Sequence, residues 1–580
     1  MKSVSSLFPI AAWLPSYERA WLRADIMAGV AVWAMMVPQA LAYAGIAGVP
    51  PVYGLYGVPL AMLAYAVLGT SRTLSVGPES AIAIVSAVTV GALASGNPSE
   101  FLALTSLLAL IVGVLFLLLG LFRMGWVANF LSRPVLQGFT QGIALIVIVG
   151  QLPTIFGTRP AFSARLAETR NLPQIVGLET DYSGFLVQAW AFFATVMESH
   201  ALTATVGISS FLILVVLKRF QPTAPSALIV VLLTVLVTSL AGLGDRGVAV
   251  VGTVETGMVA LSFPSISTGD VVALLPGAFA IVLLGYAVSL SVADVGARRT
   301  GETIDPNQEL VALGGANLGA ALSSGFVVCA SLSRGVVIGQ AGGRTQVAAL
   351  INGALVLITL MFALPLFFNL PSAALAAVVV SAMSGLLDFG YLRRLYGIDR
   401  SEFAYAMAAL LGVILLGILY GVALGVLLAF AVLIKRVSGP GTAVLGRVPG
   451  TSKYRDVAIS PSSEQIPGLL IFRFDAPIIF VNGAHFSETL RELVADASEP
   501  TRQVLIPAQQ INHIDSTGSE QLAKISDELR KQDIVLAFAE VKSTVRDMMR
   551  RTGLEEEIGA EHFYDSVDSG VQQFIEKGTA

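Results

Sequence analysis

Cysteine, histidine and charged residues are all scarce in this sequence. Of 580 residues, one is cysteine (Cys329), four are histidine and 13% are charged. A single cysteine excludes a disulfide within the chain, and with no cysteine or histidine pair at ligand spacing we predict no metal site. Because the sequence also offers no nucleotide-binding loop and no nucleophile–base pair, we predict no cofactor, no enzymatic activity and no nucleic-acid partner.

Apolar residues are abundant instead. They make up 55% of the chain, and the mean hydropathy is +0.77. Repeated apolar spans of near-bilayer length predict a polytopic α-helical membrane protein. Charge is unevenly distributed, because 35 of the 74 Lys, Arg, Asp and Glu residues lie from Val437 onward. The composition therefore predicts a membrane domain followed by a small soluble domain.

Fourteen apolar segments are predicted to cross the bilayer. They lie at 25–46, 52–69, 77–95, 101–122, 126–151, 202–217, 224–243, 273–293, 307–325, 332–342, 346–368, 371–388, 402–418 and 419–436. One further apolar segment, 184–199, is short, and we predict an interfacial helix there.

The positive charges of the short loops predict the orientation. If each segment crosses once, these charges share one side with both chain ends: Arg72, Arg123, Lys218, Arg219, Arg298, Arg299, Arg344, Arg393, Arg394, Lys435 and Arg436. Short loops on the opposite side are nearly free of Lys and Arg. By the positive-inside rule, the shared side is cytoplasmic.

These patterns divide the chain into four parts. We predict a cytoplasmic N-terminal segment (1–24), a transmembrane domain (25–436), a Gly/Pro-rich linker (437–455) and a small α/β domain (456–577). In the α/β domain, strands are predicted at 468–474, 478–481, 504–506 and 534–538, and helices at 483–495 and 519–531.

The third apolar segment is irregular. It follows an extended run at 73–76 and begins with Gly77 and Pro78, then Glu79 and Ser80, at the predicted start of its helix. Proline suits the first turn of a helix, so this helix begins in mid-membrane. Irregular backbone at that depth must line a cavity, because lipid cannot satisfy open N–H and C=O groups.

The tenth segment has the same layout. An extended run at 326–328 precedes Ser331, Ser333 and Arg334. Irregular members at positions three and ten predict an inverted repeat of seven plus seven helices, with two half-helices whose N-termini converge. Each N-terminus carries about half a positive charge, and Arg334 adds a full one, so the sequence predicts a seat for a small anion.

The first segment contains two polar side chains on one helical face, Gln39 and Tyr43, after Pro38. Two interpretations are open. They line the anion site, or they make helix–helix hydrogen bonds beside a kink at the proline.

Four motifs resemble one known family. They are VPQALAYAGIAGVPPVYGLYG (37–57), GTSRTLSVGPESA (69–81), DPNQELVALGGANLGAALSSGF (305–326) and CASLSRG (329–335). In this order, and with the tail, they resemble the SulP family of anion transporters over nearly the whole chain. The tail motif IDSTG (514–518) resembles the STAS domain, the cytoplasmic module of SulP proteins.

The resemblance implies a mechanism and an assembly. Helices 1–4 and 8–11 form a core that moves like an elevator against a gate of helices 5–7 and 12–14, in a homodimer. It also implies that the anion binds between helices 3 and 10. The matching positions are Gln39, Tyr43, Glu79, Ser80, Ser333 and Arg334.

Two positions bear on ion coupling. Many cation-coupled members have a carboxylate in helix 8, where this chain has Val288. Glu79, at the start of helix 3, has two open interpretations. It pairs with Arg334 as a static partner, or an incoming anion displaces it and raises its pKa until it takes a proton. This second interpretation would couple anion uptake to H⁺ uptake.

The tail offers one regulatory candidate. In soluble STAS relatives the serine after the aspartate can be phosphorylated, and that position is Ser516 here. The alternative is structural, since Thr517 and Glu520 have the spacing of a capping box.

We therefore predict secondary active transport of a small anion in the cell (inner) membrane. Sulfate is favoured by family frequency, bicarbonate or a dicarboxylate is the alternative, and H⁺ or Na⁺ is the candidate co-transported ion. The rival hypotheses are an uncoupled anion channel and an anion-sensing receptor that signals through the STAS domain.

Overall fold

The computed structural model describes residues 8–94, 97–130, 132–169, 185–221, 224–252, 261–264 and 266–579. They form two compact units, Met1–Ala429 and Phe430–Ala580. The first unit is almost entirely helical, and the second combines a sheet with helices.

The α-helices up to the end of the first unit are numbered α1 to α19. They are α1 (Ile10–Trp13), α2 (Leu22–Ala47), α3 (Tyr53–Tyr56), α4 (Val58–Leu68), α5 (Ser80–Gly91), α6 (Pro98–Leu121), α7 (Arg133–Phe156), α8 (Arg159–Thr169), α9 (Phe185–Thr195), α10 (Ala201–Phe220), α11 (Ser226–Ala241), α12 (Thr268–Thr300), α13 (Pro306–Leu322), α14 (Leu332–Gln340), α15 (Val347–Ile358), α16 (Ser372–Ser384), α17 (Phe389–Ile398), α18 (Arg400–Leu416) and α19 (Ile418–Ser438). Two short strands, β1 (Val76–Gly77) and β2 (Cys329–Ala330), pair antiparallel.

Each of the fourteen predicted apolar segments coincides with a helix. Among the described residues, seven helical stretches are long and apolar enough to cross a membrane by length and composition. Others are shorter, including α5 and α11. The fold is therefore that of a polytopic helical membrane protein, and the crossing of all fourteen segments stays a prediction. The predicted interfacial helix overlaps α9.

Cap residues explain several helix boundaries. Asn97 Oδ1 accepts a hydrogen bond from Ser99 N at the start of α6, and Asp305 Oδ1 accepts one from Asn307 N at the start of α13. Such side chains satisfy N–H groups that have no partner within the helix. At the other end, Gly48 follows α2 with a φ of 79°, a left-handed conformation that glycine adopts without strain.

Helix packing repeats between the two halves. α2 packs on α15 and α12 on α6; likewise, α4 packs on α15 and α13 on α6. α7 also packs on α18, and α16 on α10. Each helix has a counterpart in the other half of the chain, seven predicted apolar segments away. Within each pair of contacts named above, replacing both helices of one contact by their counterparts gives the other contact. This exchange is what an inverted repeat produces.

Two buried carboxylates hold the segments on either side of the half-helices. Glu309, 1% exposed, accepts hydrogen bonds from Tyr65 Oη (2.6 Å) and Thr70 N (2.8 Å). Asp25, 0% exposed, accepts one from Thr345 Oγ1 at 2.6 Å. A buried charge needs such donors, so these acids fix the loop before β1 and the loop after α14.

The second unit is a six-stranded sheet with helices packed against it. Its strands are β3 (Thr442–Arg447), β4 (Tyr454–Asp456), β5 (Leu469–Phe474), β6 (Gln503–Pro507), β7 (Val535–Ala539) and β8 (Phe563–Tyr564), in the order β4-β3-β5-β6-β7-β8. Its helices are α20 (Gly483–Ala495), α21 (Ser516–Arg530), α22 (Ser543–Arg551), α23 (Leu554–Ile558) and α24 (Val567–Thr579). β5 to β8 are parallel, and β3 is antiparallel to both of its neighbours.

Three predictions about this unit are wrong in detail. The segment 437–455 is not simply a linker, because β3 pairs with β5 and belongs to the sheet. The segment 478–481 forms no strand, since only an isolated bridge joins Ile478 to Ile514. Finally, α21 begins at Ser516, three residues before the predicted start, because Asp515 rather than Thr517 caps it.

Candidate functional site

The two half-helices meet where β1 pairs with β2. In this pairing, Val76 lies opposite Ala330 and Gly77 opposite Cys329. α5 begins three residues after Gly77, and α14 begins two residues after Ala330. Both helices therefore start beside the same two-stranded pairing, and the predicted convergence of their N-termini is confirmed.

Arg334 lies between these two helix starts and is completely buried. Its Nη1 donates a hydrogen bond to Pro78 O at 2.9 Å. Its Nε and Nη2 have no hydrogen-bond partner among the described residues. A guanidinium has five N–H donors, and leaving them buried without an acceptor is costly. The arrangement is therefore suited to an acceptor of negative charge.

Gly77 lies beside this guanidinium. A Cβ at this position would lie 2.7 Å from Met36 Cε and 3.4 Å from Arg334 Nη2. An alanine here would displace the flexible end of the Met36 side chain and would bring its Cβ into van der Waals contact with the guanidinium.

Glu79 serves as the cap of its own helix. Its Oε2 accepts hydrogen bonds from Ala81 N (2.8 Å) and Ile82 N (3.4 Å), and its Oε1 accepts one from Ser80 Oγ (2.8 Å). No salt bridge within 4.0 Å joins it to Arg334. The expected static Glu79–Arg334 pair is therefore absent from this structure: the carboxylate satisfies free N–H groups at the start of α5 instead.

Ser331 and Ser333 stand at the start of α14. Ser331 precedes the helix and is 8% exposed, whereas Ser333 is exposed. Their hydroxyl oxygens are 3.0 Å apart, within hydrogen-bond distance. Since no side chain caps this helix, its first N–H groups remain available to a ligand.

Gln39 and Tyr43 are both buried, 7% and 5% exposed. The Tyr43 side chain interacts with Ser80 and lies within electrostatic range of Glu79 and Arg334. Gln39 lies one turn earlier in α2, and its Oε1 has no partner among the described residues. The structure thus brings Tyr43 to the cluster, and Gln39 shares its helical face.

Three side chains that the sequence did not single out hold the extended segments in place. Asn317 Oδ1 accepts from Val328 N (2.9 Å) while its Nδ2 donates to Val328 O (3.0 Å). Ser289 Oγ accepts from Ala330 N at 3.1 Å. On the other segment, Gln346 Nε2 donates to Leu74 O at 2.9 Å. All three are fully or almost fully buried polar residues, and polar residues in apolar helices are the signal that would have found them.

The regulatory candidate of the second unit is exposed. Ser516 is the first residue of α21. The preceding Asp515 accepts hydrogen bonds from Gly518 N (2.7 Å) and Phe480 N (2.9 Å). The capping box expected at Thr517 does not form. Ser516 is therefore the exposed first residue of a helix that Asp515 caps, where an added negative charge would meet both the favourable helix dipole and the neighbouring carboxylate.

The fold and the site define a class. Two half-helices that begin at paired extended segments, a buried cationic group between them and an inverted pattern of helix packing are characteristic of membrane transporters. The chain belongs to the sulfate permease family: the sequence model of that family matches residues 22–409, and a STAS domain model matches residues 460–570.

Several known proteins are similar along their length. A probable sulfate transporter of Mycobacterium tuberculosis is 35% identical over 570 residues, which cover 97% of this chain and 98% of that protein. The chloroplastic sulfate transporter 4.1 of Arabidopsis thaliana is 31% identical over 580 residues, 98% of this chain and 82% of that protein.

Solved structures share the fold. The murine Solute Carrier 26 family member A9 anion transporter has a TM-score of 0.87 at 22% identity, covering 99% of this chain and 94% of that one. The transmembrane domain of the cyanobacterial bicarbonate transporter BicA has a TM-score of 0.58 at 21% identity, covering 71% and 98%.

Proposed function

We propose that this protein is a secondary active transporter of a small oxyanion, with sulfate as the first candidate. The observation that carries this proposal is Arg334, a fully buried guanidinium with two nitrogens that lack an acceptor. The names of the two sequence relatives favour sulfate over bicarbonate or a dicarboxylate.

In this proposal the anion binds between the starts of α5 and α14. Arg334 supplies a full positive charge and forked N–H donors, which match an oxyanion. The uncapped start of α14 adds N–H groups and a dipole of the same sign. Ser80, Ser331, Ser333, Gln39 and Tyr43 complete the site with neutral donors and acceptors.

Transport would proceed by movement of one group of helices against another. α2, α4, α5, α6 and α12 to α15 pack mainly among themselves, and α7, α10, α16 and α18 form a second group. These groups correspond to the proposed core and gate. Because both half-helices belong to the first group, the anion would move with the core in an elevator-like step.

Glu79 is the proposed coupling residue. An anion bound at Arg334 would place a second negative charge near this carboxylate, and like charges favour the protonated form. The carboxylate would then take up a proton together with the anion. Since Glu79 is not ion-paired with Arg334, the anion need not displace it first.

An uncoupled anion channel is the second candidate function, favoured by Val288. This residue lies in α12 beside Ser289, which accepts a hydrogen bond from Ala330 N of β2. The position is therefore adjacent to the site, and valine cannot carry a proton. If Glu79 does not carry a proton either, the anion flux would follow the membrane voltage and the anion concentration gradient alone.

We further propose that both chain ends lie on the cytoplasmic side of the inner membrane and that the protein is a homodimer. The orientation is supported by the Lys and Arg residues of the short loops. The STAS domain would then regulate transport from the cytoplasm, with Ser516 as the modified residue.

One experiment tests the function. Purified protein in proteoliposomes is given radiolabelled sulfate, bicarbonate and a dicarboxylate, each with and without an imposed pH or Na⁺ gradient. We expect sulfate accumulation driven by an inward proton gradient. Flux that responds only to voltage would identify a channel, and anion binding without uptake would identify a receptor.

A further inference from the structure

A second cavity, lined by two arginines, runs along one face of α14, from Leu332 at the start of the helix to the loop that follows its end. Its volume is about 200 Å³. The lining residues lie mainly on α12 and on α14 with the loop that follows it, and they include Arg299, Arg344 and Thr73. Because one water molecule occupies about 30 Å³, the cavity has room for an oxyanion with part of its hydration shell.

This cavity and the Arg334 site use opposite faces of one helix. Leu332, Gly335 and Gly339 of α14 line the cavity. Arg334 and Ile338, four residues apart and hence on one face, are buried away from it. The cavity therefore borders the start of α14 at Leu332, but Arg334 is not among its lining residues.

The two arginines lack acidic partners. In the part of the chain that the structure describes, neither the Arg299 nor the Arg344 guanidinium has a carboxylate oxygen within 4.0 Å. The Arg344 guanidinium lies over the Trp21 ring, 5.8 Å from its centroid. Asp25, the nearby acid, accepts hydrogen bonds from the backbone N of Arg344 and of Thr345.

Glycines shape the cavity around these charges. A Cβ at Gly339 would lie 2.8 Å from Arg299 Nη1, and a Cβ at Gly296 would lie 2.7 Å from Thr73 Oγ1. The absence of side chains at both positions lets a guanidinium and a hydroxyl reach the same space. Planar guanidinium forks and hydroxyl donors are the groups that bind tetrahedral oxyanions.

Neutralisation of helix ends is the competing explanation. α12 and α14 both end near the arginines, and a helix C-terminus carries about half a negative charge. Both Arg299 and Arg344 are exposed to water, so hydration and the two helix ends together stabilise their charges. Neither effect explains the open volume that both arginines line.

We propose that Arg299 and Arg344 form a second oxyanion site, which binds a sulfate- or phosphate-type group. That group is carried by a free anion or by the headgroup of an anionic lipid. Apolar residues on the cavity wall, Val292, Val295 and Val336, would allow either source. This site does not depend on transport by Arg334.

The test measures binding with the Arg334 site removed. The full chain with Arg334→Ala, or Arg334→Gln if the first does not fold, is purified in detergent. Its thermal unfolding is followed against sodium sulfate and sodium phosphate, with sodium chloride at equal ionic strength. Binding to phosphatidylglycerol is compared with binding to phosphatidylcholine.

We expect saturable stabilisation by an oxyanion or by phosphatidylglycerol. Arg299→Gln and Arg344→Gln should each weaken it about tenfold, as expected for loss of a charged hydrogen-bond donor, and the double variant should abolish it. Arg298→Gln is the matched control, because Arg298 is exposed like Arg299 and Arg344 but does not line the cavity.

Each outcome has a distinct meaning. Arginine-dependent binding of sulfate or phosphate supports the site with a free anion, and arginine-dependent binding of phosphatidylglycerol alone supports it with a lipid source. The proposal is overturned if neither a free oxyanion nor phosphatidylglycerol binds, if binding persists in the Arg299→Gln, Arg344→Gln double variant, or if Arg298→Gln weakens binding as much as Arg299→Gln. Neither result alters the separate question of transport at Arg334.

Discussion

Arg334 Nη1 donates a hydrogen bond to Pro78 O at 2.9 Å, although 256 residues separate the two. This bond joins the lead-in of one half-helix to the first turn of the other, across the two halves of the repeat. It also orients the guanidinium so that its remaining N–H groups stay near both helix starts. The anion site is therefore a product of both halves.

Substitution of Arg334 tests the site directly. Arg334→Ala should abolish radiolabelled sulfate uptake by proteoliposomes, because the full charge and the forked donors are lost. Arg334→Lys keeps the charge without the fork, so we expect partial uptake with a raised KM. Arg393→Gln, which removes an exposed arginine, is the control. Normal uptake by Arg334→Ala would disprove the assignment.

Glu79→Gln tests coupling. The amide oxygen can still accept from Ala81 N and cap α5, but glutamine cannot take up a proton. We expect downhill sulfate uptake to persist while sulfate-driven acidification of the vesicle lumen, followed with a pH-sensitive dye, disappears. If the variant still carries protons in with sulfate, Glu79 is not the coupling residue.

Asn317→Leu tests the support of the second extended segment. The substitution leaves Val328 N and O buried without their side-chain partner, at a cost of about 1–3 kcal/mol for each unsatisfied group. The melting temperature of the detergent-purified protein should fall, and uptake should fall with it. Asn369→Leu is the control, since its bond to Ser239 is exposed; an equal loss there would contradict the prediction.

Gly54→Ala tests the close approach of α3 to α2. A Cβ at Gly54 would lie 1.9 Å from Ala40 O, a backbone atom next to Gln39. Overpacking of this kind costs about 1–3 kcal/mol, so we expect lower thermal stability and a higher KM for sulfate. Gly45→Ala, on α2 with nothing within 4 Å of the added Cβ, should leave both unchanged.

Ser516→Asp tests the regulatory candidate. Ser516 is exposed, and the favourable helix dipole at this position, about 0.3–1 kcal/mol, opposes the repulsion from the neighbouring Asp515 carboxylate. The second unit should therefore remain folded, as judged by circular dichroism of the full chain. We expect a changed transport rate relative to Ser516→Ala with no loss of stability. Equal rates for the two variants would argue against regulation through this serine.

Local sequence signals predicted much of the fold. α20 was predicted at its observed bounds, because its apolar residues recur at helical spacing. Pro78 indicated a helix start at this point, as expected for a residue that suits the first turn, but it precedes the helix: Glu79 is the cap and α5 begins at Ser80. The wrong predictions have two causes. Asp515 caps α21 in place of Thr517, because both residue types can cap a helix. β3 joins the sheet by pairing with β5, a strand distant in sequence that local patterns do not indicate.

The anion site, like the fold, could be predicted from the sequence only in part. Composition and segment spacing alone determined that this chain crosses a membrane with two interrupted helices and one deeply placed arginine, because the cost of polar groups in lipid leaves few alternatives. Only the tertiary structure decided which atoms those polar groups meet. A carboxylate such as Glu79 can be satisfied by its own helix or by a guanidinium. The hydrogen bonds between the Asn317 side chain and the Val328 backbone likewise depend on how the chain folds back, which no local preference specifies.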